Sequence, residues 1–433
     1  MDNVDQPRAP SPIDATERNA LLDVIRGFAL SGVFLSNVYA WMSGAVFLPH
    51  AQLEAATSST VHKVIDALYN ILVAGKFMTI FTFLFGFGLA MQFSRAAERN
   101  DSVPKRYVRR CAAFLFLGML HLTLLWYGDI THQYALIGLV VLLFYKRSTK
   151  TLVIWGLILT LVAVPVGMWS QFVLPRLLTS PEAAQAAMAA KRASYEEGNR
   201  ALLEAFQSDS YMAIVRANVT MYWRQFVNVI IASYHVGTLG NFLLGLAVGR
   251  LGWFQDVAAH RRAFRRMLGW SALVSLLLLG VMVGLRFLLG EKSPQPGPIA
   301  LPIVMPVLRN VWTLSIALFY VAAIALLYQR GFFRRVLSIF APAGRMAMTN
   351  YYAQSAIGVF VFCGIGLGHM GDLRPRFTIV MPMVMFTVQM VCSWLWLRYF
   401  RFGPVEWVSR SLTYGKPQPM RVRKMVETPD VVP

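Results

Sequence analysis

Apolar residues in this chain come in long unbroken runs separated by short polar stretches. Ten such runs lie at roughly 21–42, 74–94, 107–127, 130–146, 151–174, 225–249, 267–290, 303–328, 346–369 and 377–399. A run of about 20 apolar residues is long enough to cross a bilayer as a helix. A strand barrel would instead show alternation over ~10-residue segments, a pattern this sequence lacks. Lipid leaves an open backbone without partners. The pattern therefore predicts an all-α, polytopic transmembrane helical bundle of about ten spans. Two connections differ from the rest. The stretch "SSTVHKVIDALYNILVAGK" is amphipathic and predicts a helix lying at the surface. Residues 175–224 contain "SPEAAQAAMAAKRASYEEGNRALLEAF", rich in Ala and Glu, which predicts a solvated helical insertion. It reads as a spacer or as a cap on the bundle.

The composition agrees with a membrane chain: 56% of the 433 residues are hydrophobic and 14% are charged. The formal charge of +20 raises nucleic acid as a partner. Its distribution removes that idea. Lys and Arg crowd into one set of connections, "SRAAERNDSVPKRYVRR", "KRSTK", "HRRAFRR" and "QRGFFRRVLSIFAPAGR", and into the C-terminal tail. The alternate connections carry far fewer. Under the positive-inside rule both termini face the cytoplasm, and the bilayer itself accounts for the basic excess. Residues 1–18 read as a flexible cytoplasmic N-terminus, 19–400 as the bundle with its insertion, and 401–433 as an interfacial segment with a disordered tail. A short apolar core with a small-residue cleavage site is missing from residues 1–19, so the first span is expected to direct insertion. Cys111, Cys363 and Cys392 all lie within apolar runs, which argues against a disulfide framework and a Cys-based metal site.

Polar residues inside the spans carry the candidate chemistry, because ionisable groups at membrane depth are expensive. The first span reads "LDVIRGFALSGVFLSN". Arg26 and Asn37 are eleven residues apart, three helical turns or about 16 Å, and Asp23 lies one turn before Arg26. The three form one interior-facing stripe, with Asp23 and Arg26 also readable as a structural ion pair. His50, His62, His121, His132, His235 and His369 all fall on the side expected to be extracytoplasmic. His121 opens "HLTLLWYGD", about two turns from Asp129, and Gly128 is expected to break the helix so that Asp129 folds back. Such a pair suits proton transfer, with the carboxylate orienting the imidazole. The alternative for His121 is a neutral ring bonded across helices. In "GRMAMTNYYAQS", Arg345 sits at the cytoplasmic edge, and Asn350 and Gln354 are i,i+4 neighbours able to bond across helices or to bind substrate. Glu406, in "RFGPVEWVSRSLTYG", suits a cytoplasmic interfacial helix and a structural pairing with Arg345 or Arg26.

Together, "LDVIRGFALSGVFLSN", "FTFLFGFGLA", "GMLHLTLLWYGDITHQYALIGL", "GRMAMTNYYAQS" and "RFGPVEWVSRSLTYG" resemble the YeiB-like family of bacterial inner-membrane proteins over about residues 18–416. That family is more distantly similar to the transmembrane acyltransferase superfamily, which includes enzymes modifying bacterial glycans and heparan-α-glucosaminide N-acetyltransferase. The resemblance implies a bacterial inner-membrane location and a donor acyl-CoA held from the cytoplasm. Arg26-Gly27 match the superfamily's "RG". Asn37 stands where the glycan-modifying branch has a histidine. The glucosaminide branch has asparagine there and a catalytic histidine in the first non-cytoplasmic loop, where His50 is the nearest candidate.

Three function classes follow. In the first, a membrane O- or N-acyltransferase, Arg26 or Arg345 lies near the phosphates of acyl-CoA and His121 or His50 is the base, with Asp129 orienting His121. Asn37 donates to the thioester carbonyl, and the acceptor is a glycan, lipid or small molecule. In the second, a transporter or channel, the polar stripes line a pathway for a small solute. In the third, a non-catalytic receptor or assembly factor, the insertion is the partner surface. No metal is expected, and the sequence leaves the oligomeric state open.

Overall fold

Each long apolar run becomes a helix in the computed structural model, which describes residues 19–98, 103–289 and 301–422. The N-terminus expected at 1–18 and the tail from 423 lie outside the described residues. The first helices are α1 (Ala20–Asn37), α2 (His50–Thr57), α3 (Thr60–Leu72), α4 (Lys76–Glu98), α5 (Val103–Leu124) and α6 (Thr131–Val141). Next come α7 (Thr149–Phe172), α8 (Leu174–Leu178), α9 (Pro181–Gln207), α10 (Tyr211–Phe226), α11 (Val229–Arg250) and α12 (Arg261–Leu289). The last are α13 (Leu301–Tyr328), α14 (Gly331–Leu337), α15 (Ala341–Arg345), α16 (Ala347–Phe362), α17 (Met381–Tyr399) and α18 (Pro404–Tyr414). Side-chain caps set several starts. Ser148, Ser180 and Ser210 accept from the N–H groups of Thr151, Ala183 and Ala213, and Pro181 follows its cap where its missing N–H is harmless.

Among the described residues, seven stretches are long and apolar enough to cross a membrane: Ala20–Phe47, Thr60–Ser94, Lys105–Leu124, Thr149–Phe172, Arg261–Leu285, Val304–Tyr328 and Arg376–Tyr399. Of the other three expected spans, two form shorter helices. The run at 130–146 is helical only over 11 residues, about 16 Å, before it turns. The run at 346–369 stops at Phe362. The run at 225–249 is α11, whose 22 residues are enough to cross a bilayer.

In the core, α11 packs against α7 and α4, α12 lies along α13, and α1 crosses α15. That crossing explains the glycine of the "RG" pair. A Cβ on Gly27 would stand 2.0 Å from the Phe340 carbonyl oxygen, and one on Gly344 would stand 1.9 Å from that of Asp23. Both neighbours are backbone, which cannot swing aside. Gly344→Ala should therefore destabilise the fold by roughly 1–3 kcal/mol, the usual range for overpacking, seen as a lower melting temperature in detergent.

Two amphipathic pieces sit at one end of the bundle. Helix α3 buries no residue, and Val61, Val64, Leu68 and Leu72 form an exposed stripe at spacings of three and four. Helix α9 is solvated all round over residues 185–197 apart from half-buried Met188, as expected, but its C-terminal part and α10 bury one face. Leu202, Phe206, Ile214, Ala217 and Met221 join the main core. Asn199 donates to the Val46 carbonyl at 3.2 Å, Gln207 donates to that of Met370 at 3.1 Å, and the Gly364 N–H donates to that of Phe206 at 2.9 Å. The insertion is thus bolted onto the loops at that end.

Candidate functional site

Helix α5 ends at Leu124, four residues before Gly128, so the turn toward Asp129 begins earlier than the sequence suggested. The reason is local: the N–H groups of Leu125 and Trp126 both bond to the His121 carbonyl at 2.9 and 3.0 Å, closing the helix there. Gly128 lies inside the turn, packed against the Trp126 ring. The chain then doubles back, and the start of α6 brings Asp129 beside α5.

Asp129 is fully buried, with four donor groups on it. His121 Nδ1 lies 2.8 Å from Oδ2, and His132 Nδ1 lies 2.9 Å from Oδ1. The His132 backbone N–H donates to Oδ1 at 2.8 Å, and the Thr131 hydroxyl reaches both oxygens at 2.9 and 2.7 Å. A carboxylate at a helix N-terminus, saturated with donors, is held as the anion. An anionic carboxylate only accepts, so both Nδ1 atoms carry the proton, and a neutral ring in this position presents its Nε2 lone pair. Among the described residues none bonds to His121 Nε2, although that atom is buried. An orphaned buried acceptor costs about 1–3 kcal/mol, the kind of strain that functional sites retain.

Helix α16 completes the enclosure. The Tyr351 hydroxyl donates to the Gly128 carbonyl at 3.1 Å and accepts from the Ile130 N–H at 3.2 Å. The Tyr352 hydroxyl lies 3.0 Å from that of Thr131, and its ring stacks on His121 with centroids 4.2 Å apart. Sequence reasoning passed over both tyrosines, along with Gly118, His132 as a partner of Asp129, and Thr131. The adjacent hydroxyls of "NYY" were the available signal. Gly118 sits one turn before His121, and a Cβ there would stand 2.4 Å from the His132 nitrogen and 2.8 Å from Asp129 Oδ1.

The other candidates separate into groups. His50 is exposed on α2, 3.8 Å from Glu54, and stands apart from the buried cluster. His62 bonds to the Leu373 carbonyl at 3.2 Å, and His369 stacks on Phe377. Arg26 pairs with Asp23 at 2.8 Å and lies 3.4 Å from the Gly344 carbonyl, so it ties α1 to α15, the helix that ends at Arg345. Asn37 is buried at the far end of α1. Asn350 and Gln354 face α17. Asn350 donates to Ser393 at 2.9 Å and Gln354 to Gln389 at 3.0 Å, while Gln389 donates to the Asn350 carbonyl at 3.1 Å. Helical rotation thus sends the tyrosines to the histidines and the amides to α17.

Glu406 caps the start of α16. Its carboxylate accepts from the N–H groups of Met348 and Thr349 at 2.7 and 3.2 Å and from the Thr349 hydroxyl at 2.5 Å, while burial pushes its carboxyl above the usual range. Glu406→Ala should cost about 1–3 kcal/mol by orphaning these donors, and Glu406→Gln, which keeps one acceptor oxygen, should cost less. Melting temperatures of the two variants in detergent check the order.

The family described as "Protein of unknown function (DUF418)" matches residues 248–416, which hold Tyr351, Tyr352, the α16–α17 amides and Glu406. "Uncharacterized protein YxaH" of Bacillus subtilis (strain 168) is 32% identical over 426 residues, 96% of this chain and 99% of the relative. "Uncharacterized protein YeiB" of Escherichia coli (strain K12) is 29% identical over 401 residues, 92% of this chain and 96% of the relative. These two alignments span nearly the whole chain, well beyond the part matched by the family. No solved structure matches the chain.

Proposed function

The chain belongs to the YeiB-like DUF418 family of membrane proteins, and from that premise we propose that it is a membrane-embedded acyltransferase with His121 as its general base. The observation that carries this reading is the buried His121–Asp129 contact, which leaves Nε2 unbonded and, in the neutral ring, able to take a proton. In the proposed cycle acyl-CoA enters from the cytoplasm, and an acceptor hydroxyl or amine from a glycan, lipid or small molecule reaches His121 from the insertion end. Nε2 takes the acceptor's proton as its oxygen or nitrogen attacks the thioester carbonyl. The tetrahedral intermediate collapses with cleavage of the C–S bond, and the proton passes to the departing CoA thiolate. Asn37 is a donor to the developing oxyanion, and Arg26 and Arg345 lie on the side that receives the phosphates. The chain is read as a multi-pass inner-membrane protein with both termini in the cytoplasm.

Inverted membrane vesicles containing the protein, given acyl-labelled acyl-CoA, test the reading. Label should appear in a glycan, lipid or small-molecule fraction with the wild type and vanish with His121→Gln. Equal labelling by the two proteins would defeat it. One observation favours a second reading, a proton-coupled transporter. Asp129 bridges two histidines where a general base needs one. That reading predicts solute-dependent proton flux in proteoliposomes, lost in Asp129→Asn.

A further inference from the structure

We propose that Asn218, on the helical insertion, is a positioning residue that holds the turn carrying Asp129 and so keeps His121 in working geometry. The inference takes His121 as the base and to that extent rests on the proposed function. Its own evidence lies in the turn. When α5 stops at Leu124, its last carbonyls lose their helical partners and need others. The side chain of Asn218 on α10 is fully buried and meets that need. Its Nδ2 donates to the carbonyls of Thr123 and Leu125, each at 3.3 Å, and its Oδ1 accepts from the Tyr127 N–H at 3.2 Å. One amide therefore satisfies donors and acceptors over residues 123–127, the segment linking His121 to Asp129.

Two neighbours on α10 extend the contact. The Tyr211 hydroxyl donates to the Leu124 carbonyl at 2.7 Å, from an exposed position. The Tyr222 ring stands edge-on to His132, with centroids 5.4 Å apart. The insertion thus touches both sides of the Asp129 bridge, with Asn218 on the backbone leading into it and Tyr222 on one histidine. A side chain that bonded only to its own helix, or only to solvent, would have no means of setting the turn.

The test uses the full chain in detergent micelles with ¹⁵N-labelled histidine. An imidazole N–H bonded to a carboxylate gives a far-downfield proton resonance. Two such signals are expected, assigned by their separate loss in His121→Gln and His132→Gln. Asn218→Ala should broaden or abolish the His121 signal in protein that stays monodisperse and helical, and should lower thiol release from acyl-CoA by about 100-fold with KM for acyl-CoA unchanged. Should the alanine variant fail to accumulate, Asn218→Ser, which keeps one hydroxyl for the turn, should weaken the same signal. Tyr211→Phe, which removes one bond from the same turn at its exposed edge, should leave it in place. A His121 signal at its wild-type position in Asn218→Ala or Asn218→Ser overturns the proposal. So does equal loss in Tyr211→Phe, which would reduce Asn218 to general docking. If the signal depends on Asn218 while the wild type turns over no acyl-CoA, the positioning role stands and the acyltransferase reading fails.

Discussion

Asp129→Asn should lower acyl transfer by about 10²–10⁴-fold, the span over which a positioned base contributes, while the chain still inserts and folds. The substitution is nearly isosteric, so packing changes little. Its chemistry changes fully. Four donor groups converge on the two carboxylate oxygens. An amide keeps one oxygen to accept with and turns its NH₂ toward groups that were donating. Whichever way the amide points, one histidine must present its Nδ1 lone pair to it, which moves that ring's proton to Nε2. If His121 is the one affected, its base is lost. If it is His132, His121 still loses the anion that stabilises the imidazolium formed during transfer. The mismatch should also cost about 1–3 kcal/mol of stability. Acyl-transfer rates and melting temperatures of purified wild type and Asp129→Asn check both parts, and an unchanged rate would remove Asp129 from the mechanism.

Gly118→Ala should damage the site more than its size suggests. The added methyl would fall 2.4 Å from the His132 nitrogen, 2.7 Å from the Thr131 hydroxyl and 2.8 Å from Asp129 Oδ1. All three belong to the hydrogen-bonded nest around the carboxylate, so none can yield without breaking a bond. The α5–α6 turn must then move outward and draw Asp129 away from His121. The expected result is a loss of roughly 1–3 kcal/mol from overpacking, together with activity as low as that of Asp129→Asn. Gly88→Ala on α4 is the natural comparison, since a Cβ there meets nothing within 4 Å. It should leave both stability and activity near the wild type.

Much of the architecture is legible in the sequence because a membrane helix is specified by a local property, an apolar run of sufficient length. That is why the stretches around 151–174 and 303–328 correspond to α7 and α13. What holds a turn after a helix ends is often set by tertiary contacts. The turn after α5 is bonded by Asn218, 91 residues from Tyr127 in sequence, and periodicity carries no trace of that. The meeting of His121 and Asp129 was suggested by their eight-residue spacing across a turn. The second histidine, His132, lay just beyond it and read as an interfacial residue. The tyrosines of α16 come from 221 residues or more away. Their role depends on which face of α16 meets the turn, and a helix with polar groups on two faces does not declare that. The apolar face of the insertion was hidden for a similar reason. Ala-rich periodicity predicts a helix, but what Leu202, Phe206 and Asn218 bury against is decided by loops far away in the chain.

The central claim is that His121, held by Asp129, takes the acceptor's proton as an acyl group leaves CoA. Side-by-side proteoliposomes of wild type and His121→Gln, assayed for thiol release from acetyl-CoA and longer acyl-CoAs and for proton uptake, test it most directly. The account predicts thiol release by the wild type, lower by about 10²–10⁴-fold in His121→Gln, with no conductive proton flux in either. His121-dependent proton flux without thiol release would contradict it.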